Sequence, residues 1–279
     1  MTARFTFNNR VCVLTGATGG IGRQLAHLLA AEHARLILCG RREDALETLK
    51  AELPDKSVVG LCAGSLDDAV ILDRLVAYGM EKQCSVLINL LGINQLADFT
   101  DMDGQAVNQL VRTNLVTPMQ LTRRLLPVLT RQPTAMVTNI GSVFGHIGHP
   151  GYVAYCATKF GLRGFSEALR REVADTCVSV VHVEPRATKT AMNDGPARAL
   201  NDALGNHEDE PAEVAGEILT AMRRRRPMTV LGWPERFFVS LNQILPGVVD
   251  KALRGKLAIV RRHLVARPAQ TTSAPNRNR

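Results

Sequence analysis

Aromatic residues make up only 4 % of the 279 positions, with one Trp and three Tyr, so a platform of stacking rings for nucleic-acid bases has little to be built from. Paired cysteines are also missing. Cys12, Cys39, Cys62, Cys84, Cys156 and Cys177 include no Cys-x-x-Cys spacing and read as small buried hydrophobes of a reducing compartment, so neither disulfides nor a metal site are expected. No apolar run reaches the roughly 18 residues that a membrane-crossing helix requires. The first ten residues are mixed polar, without the charged-then-apolar order of a secretory leader, and a cytoplasmic location is the expectation. Acidic residues are scarce at one end only: residues 223–279 hold thirteen Lys/Arg against two acids, whereas residues 1–222 hold 21 against 24. The basicity lies outside the segment that carries the chemical motifs, and no nucleic-acid partner is expected.

What is present is a regular alternation. Short apolar or β-branched runs fall at 10–15, 35–39, 57–62, 85–90, 134–140, 177–183 and 228–231, separated by amphipathic stretches at 21–32, 43–53, 67–82, 104–129, 152–174 and 211–226. This pattern predicts an α/β fold of the doubly wound, Rossmann-like kind: a seven-stranded parallel sheet covered on both faces, with ligands beyond the carboxyl ends of the strands. Residues 1–232 read as one catalytic domain, 233–266 as a basic helical extension, and 267–279, rich in Pro, Thr, Ser and Asn, as a disordered tail.

Tyr155 and Lys159 stand four apart, thirteen residues after Ser142. A four-residue step on a helix puts a phenol and an ammonium on one face, where a hydroxyl from a strand end can join them. Such groups around one carbonyl suit hydride transfer; the alternative is a core tyrosine beside a surface lysine. Upstream, Gly16, Gly20 and Gly22 follow the first strand with Gly-x-x-x-Gly-x-Gly spacing. Such a turn admits a pyrophosphate and aims helix N–H groups at it, or is merely a tight strand-to-helix turn. At the end of the second strand, where a carboxylate would bind the ribose hydroxyls of NAD, stand Arg41 and Arg42. Two guanidiniums suit a 2′-phosphate, which favours NADP(H) over NAD(H); alternatively they are solvated residues opening the next helix, a reading that fits Arg42 better.

Thr15 to Gly22, Asn114, Ser142 and Tyr155 to Lys159 resemble the glycine motif and catalytic tetrad of the short-chain dehydrogenase/reductase superfamily, over about residues 8–232. The resemblance implies that Tyr155 exchanges the proton with the carbonyl oxygen and that Lys159 holds the ribose hydroxyls and lowers the phenol pKa. It gives Ser142 the substrate oxygen and Asn114 a relay water. It further implies cofactor contacts from Thr15, Gly16, Gly20, Ile21, Gly22, Asn89, Gly92, Pro185, Thr188 and Thr190, a substrate lid near 187–210, and a homodimer paired through helices 104–129 and 152–174. A phenol with a pKa of about 10 can serve at neutral pH when a fixed ammonium stabilises its anion.

The chain departs from the family pattern at several points. Asn89-Leu90-Leu91-Gly92 replaces Asn-Asn-Ala-Gly, the acid expected within 63–66 arrives only at Asp67, and Pro185-Arg186 replaces Pro-Gly. Arg186 is expected either to meet a substrate carboxylate or phosphate or to turn to solvent. His146 and His149 fall near the substrate mouth, where they touch substrate or simply supply loop polarity, without the spacing of a metal site.

Beyond Trp233, residues 234–245 and 247–265 read as two amphipathic helices broken at Pro246-Gly247, with Phe and Leu alternating with Lys and Arg. Two roles fit: a helix pair lying in an anionic membrane interface, or a cap on the pocket or on a neighbouring subunit. Either points to an apolar substrate. The sequence therefore predicts an NADP(H)-dependent oxidoreductase that interconverts a carbonyl and an alcohol on a hydrophobic, lipid-like molecule, cytoplasmic and peripheral at the membrane. The other readings are a soluble 3-oxoacyl reductase and a non-catalytic nucleotide-binding sensor or scaffold.

Overall fold

The computed structural model describes residues 4–264. Seven strands, β1 (Val11–Thr15), β2 (Arg35–Gly40), β3 (Val58–Ala63), β4 (Val86–Asn89), β5 (Ala135–Ile140), β6 (Val178–Glu184) and β7 (Met228–Val230), form one parallel sheet in the order 3-2-1-4-5-6-7. The helices are α1 (Gly20–Ala31), α2 (Glu43–Glu52), α3 (Ala69–Glu81), α4 (Gly104–Val111), α5 (Thr117–Leu129), α6 (Val153–Glu172), α7 (Pro196–Leu204), α8 (Pro211–Arg223), α9 (Glu235–Ile244) and α10 (Pro246–His263).

The strand pattern follows from burial on two faces. Cys12 and Leu14 of β1 pack with Leu25, Leu29, Ile218 and Met222 of α1 and α8, whereas Val11 and Val13 pack with Leu75 and Leu125 of α3 and α5. Every residue of β1 is buried, which is why the run is continuously apolar and not alternating. Strand order reverses between β1 and β4, so the loops after these strands diverge and leave a crevice at the carboxyl edge.

Two segments differ from the sequence expectation. The single helix predicted over 104–129 is α4 and α5 joined through a π-helical turn at Arg112–Val116. Asp67 explains the turn: its carboxylate accepts the hydroxyls of Thr113 at 2.8 Å and Thr117 at 3.2 Å, and its carbonyl accepts Arg112 at 2.9 Å. The segment 187–210, to which no helix was assigned, contains α7, which buries Ala197 and Leu200.

After β7, α9 and α10 meet at Leu245 and Pro246. The tail 267–279 lies outside the described residues. Among the described residues no helix is long and apolar enough to cross a membrane.

Candidate active site

The glycine turn is fixed by close packing. Gly16 sits at φ +70°, and a side chain on it would meet the backbone of Leu91 at 3.1 Å. At Gly22 an added Cβ would stand 2.1 Å from the Gly16 carbonyl, a contact that no side chain survives. The N-cap of α1 is Gly19, with no side-chain cap and no acid in the first turn, so the helix presents uncapped N–H groups and an unopposed positive dipole end. That is an anion cradle, and the residues present fit a dinucleotide pyrophosphate. Thr190 leans over it, since a Cβ on Gly20 would lie 2.8 Å from the Thr190 methyl.

Thr15 anchors the neighbouring loop. Its hydroxyl donates to Ile88 O at 3.2 Å and accepts both Leu90 N and Leu91 N at 3.1 Å. Asn89 is turned inward, donating to Asn139 Oδ1 at 2.8 Å and to Thr122 at 3.2 Å. Its side chain therefore supports the sheet edge, where the family resemblance implied a cofactor contact. Gly92 keeps a space clear between Asn114 Oδ1 and Lys159 Nζ, which a Cβ would approach at 3.5 and 3.7 Å. Arg41 and Arg42 are exposed at the end of β2, Arg42 with Asp44 at 3.8 Å.

Four residues assigned to chemistry converge from three elements. Asn114, in the π turn, accepts Ile93 N at 2.8 Å and donates to Ile93 O at 2.9 Å and to the Thr158 hydroxyl at 3.2 Å. Ser142 follows β5, accepts Phe144 N at 3.2 Å, and acts on the Tyr155 phenol. One turn along α6, Lys159 Nζ donates to Ile140 O at 3.1 Å and stands 5.6 Å from the centroid of the Tyr155 ring. Tyr155 and Lys159 are both buried. Burial pushes the Tyr155 phenol far above its ordinary value, and Ser142 draws it part of the way back. Burial also brings the Lys159 amine down to about 8, with the Glu184 carboxylate acting in the opposite sense.

Two residues expected at the substrate are elsewhere. His146 is buried, and its Nε2 approaches Glu184 Oε2 at 2.6 Å. Neither of the two roles expected for His146, substrate contact or loop polarity, included the strand-end carboxylate it meets. Arg186 neither faces solvent nor is free for a substrate anion: it grips Asp209 through two bonds at 2.9 and 2.7 Å and Glu235 at 3.1 Å. His149 does stay near the mouth, stacked on Phe144 at 5.1 Å between centroids. Thr188 is buried and bonds Arg186 O at 3.1 Å.

Sequence reasoning missed His182 and Glu184. Both sit in β6 two residues apart, hence on one face, and two titratable groups in a strand buried throughout its last five residues were the available signal. Around the site lies an apolar wall. Tyr152 and Tyr155 belong to an apolar cluster with Leu96, Leu110, Leu200 and Val260, against which Phe144, Ile259 and Leu264 pack. The end of α10 thus lies over the Tyr155 region, close enough that a Cβ on Gly151 would stand 3.0 Å from Leu264.

Comparison with known proteins agrees with this geometry. The short chain dehydrogenase family profile matches residues 10–200. The chain is 32 % identical over 264 residues to dehydrogenase/reductase SDR family member 7B of Bos taurus, covering 89 % of this chain and 81 % of that protein. It is 28 % identical to the NADP-dependent 3-hydroxy acid dehydrogenase of Schizosaccharomyces pombe, covering 80 % and 90 % of the two chains. Among solved structures, a short-chain dehydrogenase from Streptomyces avermitilis superimposes with a TM-score of 0.75 at 27 % identity, over 91 % of this chain and 98 % of that one.

Proposed function

The chain belongs to the short-chain dehydrogenase family, and from that premise we propose that it is an NADP(H)-dependent oxidoreductase interconverting a carbonyl and an alcohol on a hydrophobic, lipid-like substrate. Use of a nicotinamide cofactor rests on the uncapped glycine turn and on the similarity to the NADP-dependent fission-yeast relative. Preference for the phosphorylated form rests on Arg41 and Arg42, exposed where a 2′-phosphate would lie.

The observation that carries the reading is the buried Tyr155–Lys159 pair, with Ser142 half-buried beside it, beneath an apolar roof. When bound, the nicotinamide supplies or accepts the hydride. Tyr155 gives its proton to the carbonyl oxygen in reduction and takes it back in oxidation. Ser142 holds that oxygen, Lys159 stabilises the phenolate, and Asn114 fixes the residue-93 backbone beside them. Calorimetric titration with NADPH and NADH, followed by a carbonyl screen beginning with long-chain ketones and aldehydes, tests this. NADPH preference that Arg41→Ala removes supports it; binding of neither cofactor overturns it.

The name of the fission-yeast relative favours a second reading, reduction of a 3-oxo acid or 3-oxoacyl compound. Against a free carboxylate stands Arg186, whose guanidinium is already engaged by Asp209 and Glu235. A sensor without turnover is the third reading, and Tyr155→Phe distinguishes it: loss of turnover with retained cofactor binding eliminates the sensor.

The extension supports peripheral membrane contact. Trp233, Phe237, Phe238, Ile244, Leu245 and Val248 are exposed around α9 and the start of α10, with Arg236, Lys251 and Arg254 exposed nearby. Apolar side chains flanked by cations suit the surface of an anionic bilayer, so the proposed location is the cytoplasm at a membrane face. The protein should float with anionic vesicles and not with neutral ones, and Phe237→Ser with Phe238→Ser should abolish flotation.

Exposed Met119 on α5 and Val153 and Phe160 on α6 support pairing of these helices in a homodimer. Light scattering should give a dimer that Phe160→Glu converts to a monomer.

A further inference from the structure

Glu184 is completely buried at the end of β6, although the proposed reaction assigns it no role. Its Oε1 accepts His182 Nε2 at 3.2 Å, while His146 Nε2 approaches Oε2 at 2.6 Å, off the ideal hydrogen-bond direction. Two glycines make room for the group. A Cβ on Gly141 would stand 2.5 Å from His182 Nε2 and 3.1 Å from Glu184 Cγ, and one on Gly145 would stand 3.3 Å from Glu184 Oε1 and 3.0 Å from the Lys159 carbonyl. The carboxylate is therefore packed against the backbone of α6 at the turn that carries the lysine.

Further polar groups surround the two imidazoles. Gln243 Nε2 faces His146 Nδ1 at 3.4 Å, which leaves the proton of a neutral imidazole on Nε2, facing Glu184. The Ser166 hydroxyl donates to Leu162 O at 2.7 Å and faces His182 Nδ1 at 2.9 Å. Ser166 is held in turn by Asn139 Nδ2 at 2.8 Å, and Asn139 by Asn89 at 2.8 Å. With both imidazoles neutral, the cluster carries one negative charge, and His146 Nε2 and Glu184 Oε2 are in close contact without an aligned hydrogen bond. Burial pushes the Glu184 carboxyl up, and His146 and His182 beside it hold it below the ordinary carboxylate range.

Lys159 has few other groups to answer to. Tyr155 and Cys156 share its helix, Ser142 and His146 come from the loop after β5, Asn114 from the π turn, and Met192 from the segment after β6. Glu184 is the carboxylate among the groups of these elements and of β6 that acts on the amine. We propose that Glu184, held ionised by His146 and His182, is a positioning residue that keeps Lys159 charged while the reaction runs. This rests on the oxidoreductase reading for its purpose, but its test does not. A buried ammonium whose pKa has already fallen to about 8 is half lost just above neutrality, and the nearby anion sets that midpoint.

The first arm titrates the protein without cofactor, following the Lys159 side-chain carbon by NMR; the chain has seven lysines, and Lys159→Met assigns the signal. Glu184→Gln, which keeps the shape and removes the charge, should lower the Lys159 midpoint by about one pH unit or more, and Glu184→Asp should restore it. The alkaline limb of NADPH-dependent carbonyl reduction should move down with it, because losing an anion makes both the ammonium and the phenol easier to deprotonate. An unchanged midpoint in folded Glu184→Gln overturns the proposal, and is the result a cationic His182 would give by cancelling the charge. Should that variant not fold, the carboxyl carbon of Glu184 in the wild type decides: ionised from pH 6 to 10 supports the proposal, and neutral in that range overturns it. Absence of any turnover in the wild type would instead count against the oxidoreductase reading and leave the titration result standing.

Discussion

Lys159 is an ammonium withdrawn from water, and its position weakens the fold that holds it. Its amine titrates near 8 in the folded chain against an ordinary value of 10.5. Below about pH 8 both folded and unfolded chains carry the proton, and the burial penalty of about 3 kcal/mol is complete. Between 8 and 10.5 the folded form has released the proton while the unfolded form still binds it, so the penalty fades as pH rises. Lys159→Met should therefore abolish turnover yet raise the urea midpoint at pH 7, and its advantage over wild type should shrink by pH 10. Tyr155→Phe should lower turnover by roughly 10² to 10⁴-fold with cofactor affinity retained, read by steady-state kinetics and calorimetry. Gly22→Ala should fail to accumulate as folded protein, because its methyl would lie 2.1 Å from a backbone oxygen, and circular dichroism of the purified variant tests that.

Elements whose sequence signal is local were legible in advance. The runs ending at Thr15 and Ile140 are strands because each is short, apolar and buried throughout, and the Tyr155-to-Lys159 turn lies on α6 as its spacing required. Elements set by distant partners were not. The π turn arises because Asp67, some 46 residues earlier, draws in the hydroxyls of Thr113 and Thr117, and no periodicity within 104–129 encodes that. Likewise the inward turn of Asn89 depends on Asn139 across the sheet. Asp67→Ala should cost about 2 kcal/mol by loss of hydrogen bonds to a charged group, lowering Tm by several degrees in a calorimetric scan. Because Asn114 sits in the same turn, the loss of turnover should exceed what stability explains.

At the scale of the whole molecule, Arg186 joins three parts. It leaves β6, grips Asp209 just before α8, and reaches Glu235 at the start of α9. Asp209 also binds the backbone of Ala187 and Lys189, so the base of the 187–210 segment is closed on itself. The unusual Arg after Pro185, read from sequence as an exception, is the joint between that segment and the extension. Arg186→Gly would remove the guanidinium shared by two partly buried carboxylates, and hydrogen exchange should show faster opening of residues 187–210 and of α9 together. If only one of the two segments loosens, they are not coupled through this residue.

Trp233 is the chain's single tryptophan, and it is 73 % exposed at the foot of α9, 6.4 Å from the ring of Phe237. The molecule therefore carries one indole fluorophore, which can be excited apart from its three tyrosines, placed where contact with a bilayer is proposed and not in the sheet. Its emission should start at the red end of the protein range and shift to the blue when the side chain leaves water, with no label attached. The same placement makes it a poor reporter of unfolding, since the indole is already solvated in the native state. A fluorescence melt would follow the extension and remain nearly silent about the core.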